Sequence, residues 1–168
     1  MTPDLIAALE SIEPFSWRRA AVREVCLHLA RTVPDIAERS TLPVHATASV
    51  LIVDGSRVLL HWHPKFERWL QPGGHCDGDP DVRAVAAKEA WEETGLALAL
   101  DETPLDVDLH PGEPAGGPHM HLDVRYVARL TERAGELRSP EGLELRWFEP
   151  GEIEERPLRE AAVAATES

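Results

Sequence analysis

The stretch GHCDGDPDVRAVAAKEAWEETGL, residues 74–96, decides the fold assignment of this 168-residue chain. From Asp79 onward the stretch is typical of a helix that Asp79 caps, Pro80 begins and Gly95 ends. At 100° per residue, Val82 and its helical neighbours form an apolar stripe over the first turns. In the later turns the stripe continues as carboxylates, which is unusual for the buried face of a helix.

Those carboxylates are Glu89, Glu92 and Glu93, which fall within about 100° of arc on the wheel. Buried like charges repel one another unless a counterion or a metal neutralises them. Oxygen ligands are those that Mg²⁺ and Mn²⁺ prefer. The pattern therefore favours a divalent-metal site, and the alternative is a solvated acidic helix face.

The same stretch resembles the Nudix box, a 23-residue pattern with fixed spacing. The matching positions are Gly74, Glu89, Ala90, Glu92, Glu93, Gly95 and Leu96. The preceding residues 69–74, WLQPGG, are similar to the strand and turn before that box. Two positions depart from the pattern. Pro80 stands where the box has its first Glu, and Lys88 stands where it has an Arg that orients the catalytic Glu.

The resemblance implies a hydrolase that cleaves a phosphoanhydride bond in a nucleoside diphosphate linked to another group, or in a related nucleotide. By motif position, Glu89 is the general base and a metal ligand, and Lys88 is its catalytic neighbour. Glu92, Glu93 and Gly74 are the further metal ligands, for Mg²⁺ or Mn²⁺. The backbone of Gly73 and Gly74 would approach the metal or the phosphates where a side chain would clash.

A second group of polar residues alternates along a predicted strand. His119, His121, Asp123 and Arg125 share one face of it, which we interpret as the wall of a substrate cleft or as a solvated outer face. His75 joins the substrate-binding candidates because it follows the two glycines. A zinc site would need a third and a fourth ligand, which the sequence does not identify.

The resemblance implies a Nudix-type α/β/α sandwich with a mixed sheet, within the α/β class. We expect the domain over residues 41–168 and a helical N-terminal extension over residues 1–40. The extension either packs on the domain or mediates self-association as a homodimer. The loop and strand start before Trp147 offer Glu141 or Glu144 as an additional metal ligand.

Composition excludes several classes of protein. The formal net charge of −13 argues against binding to nucleic acid or to an anionic membrane surface. The two cysteines cannot form a zinc ribbon, and the N-terminus lacks the pattern of a signal peptide. We therefore expect a cytoplasmic enzyme with a small nucleotide-type substrate. The alternative is a Nudix-fold ligand-binding or regulatory protein, which only Pro80 and Lys88 favour.

Overall fold

The computed structural model describes residues 3–112, 117–132 and 135–167. Its α-helices are α1 (Pro3–Ser11), α2 (Trp17–Thr32), α3 (Val82–Thr94) and α4 (Arg156–Glu167), with a short 3₁₀ turn at Pro150–Glu152. Its strands are β1 (Val44–Asp54), β2 (Arg57–His63), β3 (Arg68–Leu70), β4 (Gly73–His75), β5 (Leu98–Leu100), β6 (Asp106–Pro111), β7 (Met120–Leu130) and β8 (Leu145–Phe148). Within the described ranges, no helix combines the length and apolar character that crossing a bilayer requires.

The described strands form one mixed sheet around β1 and β7. These two long strands pair in parallel, with His45 opposite His121 and Ser49 opposite Arg125. The remaining pairs are antiparallel: β2 and β4 pair with β1, β5 and β6 with β7, and β3 and β8 with β2. The Asp54-Gly55 pair is a hairpin turn signal in the sequence, and the structure joins β1 to β2 there, with Asp54 opposite Arg57.

Helices cover both faces of this sheet. Apolar side chains from α1, α2 and α3 share one buried cluster with the inward side chains of β1 and β7, among them Ala46 and Ala48. Apolar side chains of α4 form a second cluster with Leu51 and Val127 on the opposite face. This layering confirms the α/β/α sandwich, and residues 5–37 contribute side chains to the first core.

The helix that carries the acids begins later than the sequence predicts. Asp81 is its N-cap and accepts a hydrogen bond from the Ala84 amide at 3.0 Å. Asp79, the cap predicted from sequence, instead accepts from the Asp81 amide at 2.9 Å and so shapes the turn before the helix. Gly95 ends the helix at φ 65°, in the left-handed conformation that glycine adopts without strain.

Candidate active site

The acidic face of α3 packs against the glycines of β4. The Gly73 amide donates to Glu93 Oε2 at 2.9 Å, which fixes the carboxylate of Glu93 beside the strand. A Cβ atom at Gly74 would lie 2.5 Å from Glu89 Oε2. A side chain at this position would therefore have to displace the Glu89 carboxylate, and the structure places the box glycine directly beside that acid.

Burial makes the carboxyl group of Glu93 unusual. Its side chain is 13% exposed, and burial together with the charges of Glu89, Glu141 and Glu92 raises its pKa to about 8. His61 Nε2 lies 3.8 Å from Glu93 Oε1, but burial lowers the pKa of His61 to about 4, so this imidazole is neutral at pH 7 and offers no charge. The acidic cluster thus lacks a buried cation of its own among the described residues.

Lys88 supplies the nearest positive charge, from the solvent side. Its ammonium donates to Glu89 Oε1 at 3.1 Å and lies 3.7 Å from Glu92 Oε2. The hydrogen bond and charge of Glu89 raise the pKa of Lys88, so it stays protonated. Glu89 Oε1 is thereby engaged, while Oε2 faces Gly74. Lysine can thus orient Glu89 where the family pattern has arginine, although through a single donor atom.

The donor set here fits a hard divalent cation. Two carboxylates, Glu89 and Glu93, lie against the glycine backbone with Glu92 next to them, and burial first, then the neighbouring carboxylate charges, raises the pKa of Glu93. Oxygen ligands of this kind suit Mg²⁺ or Mn²⁺. Of the two downstream acids, Glu141 is close enough to act on the pKa of Glu93, and the Glu144 carbonyl accepts a hydrogen bond from the Trp62 amide.

A cavity of about 320 Å³ opens beside the glycines. Gly73, Gly74, His75, His121 and Arg125 are among the residues that line it, so five of the six predicted substrate-binding residues lie along one cleft. The sixth, His119, contacts His121, with 3.3 Å between the two Nε2 atoms.

Arg125 lies in this wall as part of a buried ion-pair network. Its guanidinium lies 2.6 Å from Asp108, 3.5 Å from Asp106 and 3.5 Å from Asp123, and only 2% of the residue is exposed. The strand face that we interpreted as a cleft wall or a solvated surface is therefore largely buried at Asp123 and Arg125. Arg19 of α2 completes the network by donating to Asp106 and Asp108.

Sequence reasoning missed several residues around the cleft. Arg19, Asp106 and Asp108 belong to the network although they come from distant parts of the chain. His45 lies beside His75, with 5.2 Å between the ring centroids. One signal was available for His45, because it alternates with Thr47 and Ser49 on the polar face of a strand whose other face is apolar.

Comparisons with known proteins agree with this geometry. The family model described as NUDIX domain matches residues 43–166. The chain is 29% identical over 139 residues to the RNA pyrophosphohydrolase of Dinoroseobacter shibae, covering 73% of this chain and 85% of that protein. It is 28% identical over 122 residues to a MutT-like protein of Streptomyces ambofaciens, covering 71% of this chain and 73% of that protein.

A solved structure gives the same result. A NUDIX-family hydrolase from Clostridium perfringens superposes with a TM-score of 0.51 at 25% identity, covering 73% of this chain and 94% of that one. The family match spans the sheet, the acidic helix and the glycine strand, which together form the site described above. The chain belongs to the NUDIX family and is a Nudix pyrophosphohydrolase.

Proposed function

We propose that this enzyme hydrolyses a phosphoanhydride bond in a nucleoside diphosphate linked to another group, or in a related nucleotide, with Mg²⁺ or Mn²⁺ as cofactor. The observation that carries the proposal is the contact of the Glu89 and Glu93 carboxylates with Gly74 and Gly73, two glycines that line a cavity. Glu92 adjoins Glu89 on the same helix face, and both carboxylates lie beside the Lys88 ammonium. A diphosphate requires neutralisation of its negative charges and a nucleophilic water, and this arrangement offers groups for both.

The metal would be held by Glu89, Glu92, Glu93 and the carbonyl oxygen of Gly74. When bound, a divalent cation supplies charge neutralisation at the phosphates and lowers the pKa of water. The Gly73 amide keeps the Glu93 carboxylate turned toward the strand. The absence of a Cβ atom at Gly74 leaves the space that the Glu89 carboxylate occupies.

Glu89 is the proposed general base. Lys88 engages its Oε1 atom, so Oε2 is the oxygen that takes a proton from the attacking water. The water oxygen forms a bond to phosphorus as the bridging P–O bond breaks, and the leaving phosphate departs with the bridging oxygen. Lys88 acts as a positioning residue, because it contacts the base rather than the phosphates.

The substrate would occupy the cavity beside the glycines. We assign substrate contacts to the backbone of Gly73 and Gly74, and to His75, His119, His121 and Arg125. The buried carboxylates beside Arg125 hold its guanidinium in place, so its contact with substrate would be rigid rather than adaptable. A cytoplasmic location and assembly as a homodimer stay predictions from the sequence.

Hydrolysis of a substrate panel tests the proposal. The full chain is assayed with dinucleoside polyphosphates, nucleoside triphosphates, nucleotide sugars and 5′-triphosphorylated RNA, with and without Mg²⁺. The RNA is included because one relative is named an RNA pyrophosphohydrolase. We expect metal-dependent phosphate or diphosphate release from a small nucleotide, and preference for the RNA would overturn the substrate assignment.

Glu89→Gln tests the role of the base. We expect turnover to fall about 10²–10⁴-fold, as is typical of losing acid–base catalysis, with a much smaller change in KM. Glu102→Gln is the matched control, since the side chain of Glu102 is 90% exposed and forms an exposed ion pair with Arg83. Full activity in Glu89→Gln would contradict the assignment even though the family is established.

A further inference from the structure

Histidines from separate elements converge on the sheet face opposite the acidic helix. His45 of β1, His75 of β4 and His121 of β7 each offer a ring nitrogen, and the three nitrogens lie within 4.8 Å of one another. Gly74 and His75 are consecutive residues of β4, so they point to opposite faces. The imidazole cluster and the carboxylate cluster are therefore separate groups of side chains on the two sides of one strand.

The hydrogen bonds of His45 leave one of its nitrogens unused. Its Nδ1 lies 3.1 Å from the Thr41 carbonyl oxygen, which can only accept, so Nδ1 carries the hydrogen. In the neutral imidazole with its hydrogen on Nδ1, Nε2 presents a lone pair. That Nε2 atom is buried without a hydrogen-bond partner, and the whole residue is only 2% exposed. An unsatisfied buried acceptor of this kind is costly unless something binds it.

His119 repeats this arrangement beside the cluster. Its Nδ1 lies 2.9 Å from the Gly117 carbonyl oxygen, which again assigns the hydrogen to Nδ1. Its Nε2 then points a lone pair toward His121 Nε2 at 3.3 Å. A backbone carbonyl that holds one ring nitrogen and frees the other is the usual support for a metal-ligating histidine. Gly112 leaves the space for it, because a Cβ atom there would clash with the rings of His119 and His121.

The distances suit a tetrahedral metal ion. Two nitrogens bound to one zinc ion at about 2.0–2.1 Å lie about 3.4 Å apart. The His119–His121 separation of 3.3 Å already matches that spacing. The widest pair among His45, His75 and His121, at no more than 4.8 Å, would need to close by at most about 1.4 Å. Small rotations of imidazole rings provide movements of this size.

We propose that His45, His75 and His121 form a second metal site, which binds a transition-metal dication of the zinc class, with His119 as the fourth ligand. Imidazole nitrogen suits Zn²⁺, Ni²⁺ and Cu²⁺, whereas Mg²⁺ prefers oxygen, so the two sites select different ions. His75 and His121 also line the cavity, and an ion bound there would add positive charge to the wall that faces a diphosphate.

Zinc binding by the metal-stripped full chain tests the proposal. Competition with a chromophoric chelator, in excess Mg²⁺, gives the stoichiometry and Kd for Zn²⁺ in the wild type and four variants. His45→Asn and His121→Asn each remove one ligand. The double variant Glu92→Gln/Glu93→Gln disables the carboxylate cluster, and His28→Asn is the control because His28 is exposed on α2. X-ray absorption of the zinc-loaded wild type identifies the ligand atoms without any substitution.

We expect one Zn²⁺ per chain with a shell of at least three imidazoles. The Kd for Zn²⁺ should rise at least tenfold in His45→Asn and in His121→Asn. Tenfold is the smallest loss of metal affinity that is typical when a residue supporting a ligand is mutated, and loss of a ligand itself should cost no less. The Kd should stay unchanged in His28→Asn and in the double Glu variant. An oxygen-only shell, zinc loss confined to the double Glu variant, or no zinc binding would each overturn the proposal. Because the measurement is binding alone, its result is independent of whether the chain hydrolyses a diphosphate.

Discussion

Burial distinguishes the three carboxylates of α3, although all of them follow one helix face. The side chains of Glu93, Glu89 and Glu92 are 13%, 18% and 38% exposed. Electrostatic attraction strengthens as water is excluded, because the effective dielectric constant falls. A divalent ion should therefore gain more from Glu93 than from Glu92, a difference that motif position alone does not predict.

Glu93→Gln should weaken Mg²⁺ binding more than Glu92→Gln does. We expect Kd for Mg²⁺ to rise about 10–100-fold in Glu93→Gln and less than tenfold in Glu92→Gln, since the more exposed carboxylate interacts through water. Melting temperature measured during Mg²⁺ titration reports the affinity, with Glu102→Gln as the control for loss of an exposed charge. Identical metal dependence in both variants and the wild type would refute the assigned ligand roles.

The contact between α2 and β6 depends on buried ion pairs as well as on apolar packing. Arg19 is 3% exposed and donates to the carboxylates of Asp106 and Asp108 and to the Val107 carbonyl. Arg125 of β7 meets the same two carboxylates from the sheet. Helix and sheet thus share one network, and removal of any member leaves a partner charged and buried.

Arg19→Ala should destabilise the chain by about 3–5 kcal/mol, the range for breaking a buried ion pair by removing one partner. Asp106 loses its bidentate partner in this variant and stays buried. Urea unfolding measures the change in the free energy of unfolding. Arg18→Ala is the matched control, because the side chain of Arg18, the preceding residue, is 45% exposed. Equal losses in both variants would show that the network adds nothing specific to the docking of α2.

Asp108 should make stability fall in acid. Burial alone would raise its pKa, yet the hydrogen bond with His110 and the charges of Arg125 and Arg19 hold that pKa well below its usual range. A carboxyl whose folded pKa is depressed adds stability above its unfolded pKa, about 3.9, and loses that contribution as pH falls further. Asp106, whose pKa burial raises, acts in the opposite direction.

The comparison of wild type with Asp108→Asn isolates this contribution. We expect the variant to be less stable by about 3 kcal/mol at pH 7, since it leaves two arginines short of a partner, with the deficit shrinking below about pH 4. Urea unfolding at pH 7, 5, 4 and 3 measures the difference. Asp101→Asn, which removes an exposed partner of Arg129, should show a small deficit. A deficit in Asp108→Asn that grows in acid would reverse the sign we assign.

One hydrophobic core extends from the first helix to the sheet. Leu5 and Leu9 of α1 and Leu27 of α2 are buried in the same cluster as Val85 of α3 and Val124 of β7. The helical extension predicted over residues 1–40 therefore packs on the rest of the chain, which was one of its two expected roles. Self-association, the other role, stays a prediction.

Leu9→Ala should destabilise the whole molecule. Leu9 is fully buried, and truncation of a buried leucine costs about 2–5 kcal/mol through lost burial and the cavity left behind. Thermal and urea unfolding measure the change, and Val25→Ala on the exposed side of α2 is the control, since Val25 is 49% exposed. If Leu9→Ala instead showed a separate early unfolding transition while the rest of the chain stayed folded, α1 would unfold independently of the sheet.

Local sequence determined the acidic helix, its glycine stop, the strand periods and the hairpin. Each of these features depends on residues within a few positions of one another, such as Glu89, Glu92 and Glu93 on one helix face or the Asp54-Gly55 turn. The spacing of the Nudix box is also local, so the family and the acidic helix could be predicted from the sequence alone. The position of the helix cap was not, because Asp79 and Asp81 are equally good capping residues by type.

Tertiary structure decided what lies on the opposite face of the sheet. The parallel pairing of β1 with β7 places His45 opposite His121, residues 76 positions apart along the chain, and β4 then adds His75 beside them. The same pairing brings Arg125 to a network whose other arginine comes from α2. Alternation predicts which side chains share a face of one strand, but strand order and register follow from packing the whole core. The histidines of β1, β4 and β7 therefore lie together only because long-range contacts of the folded chain place these strands side by side.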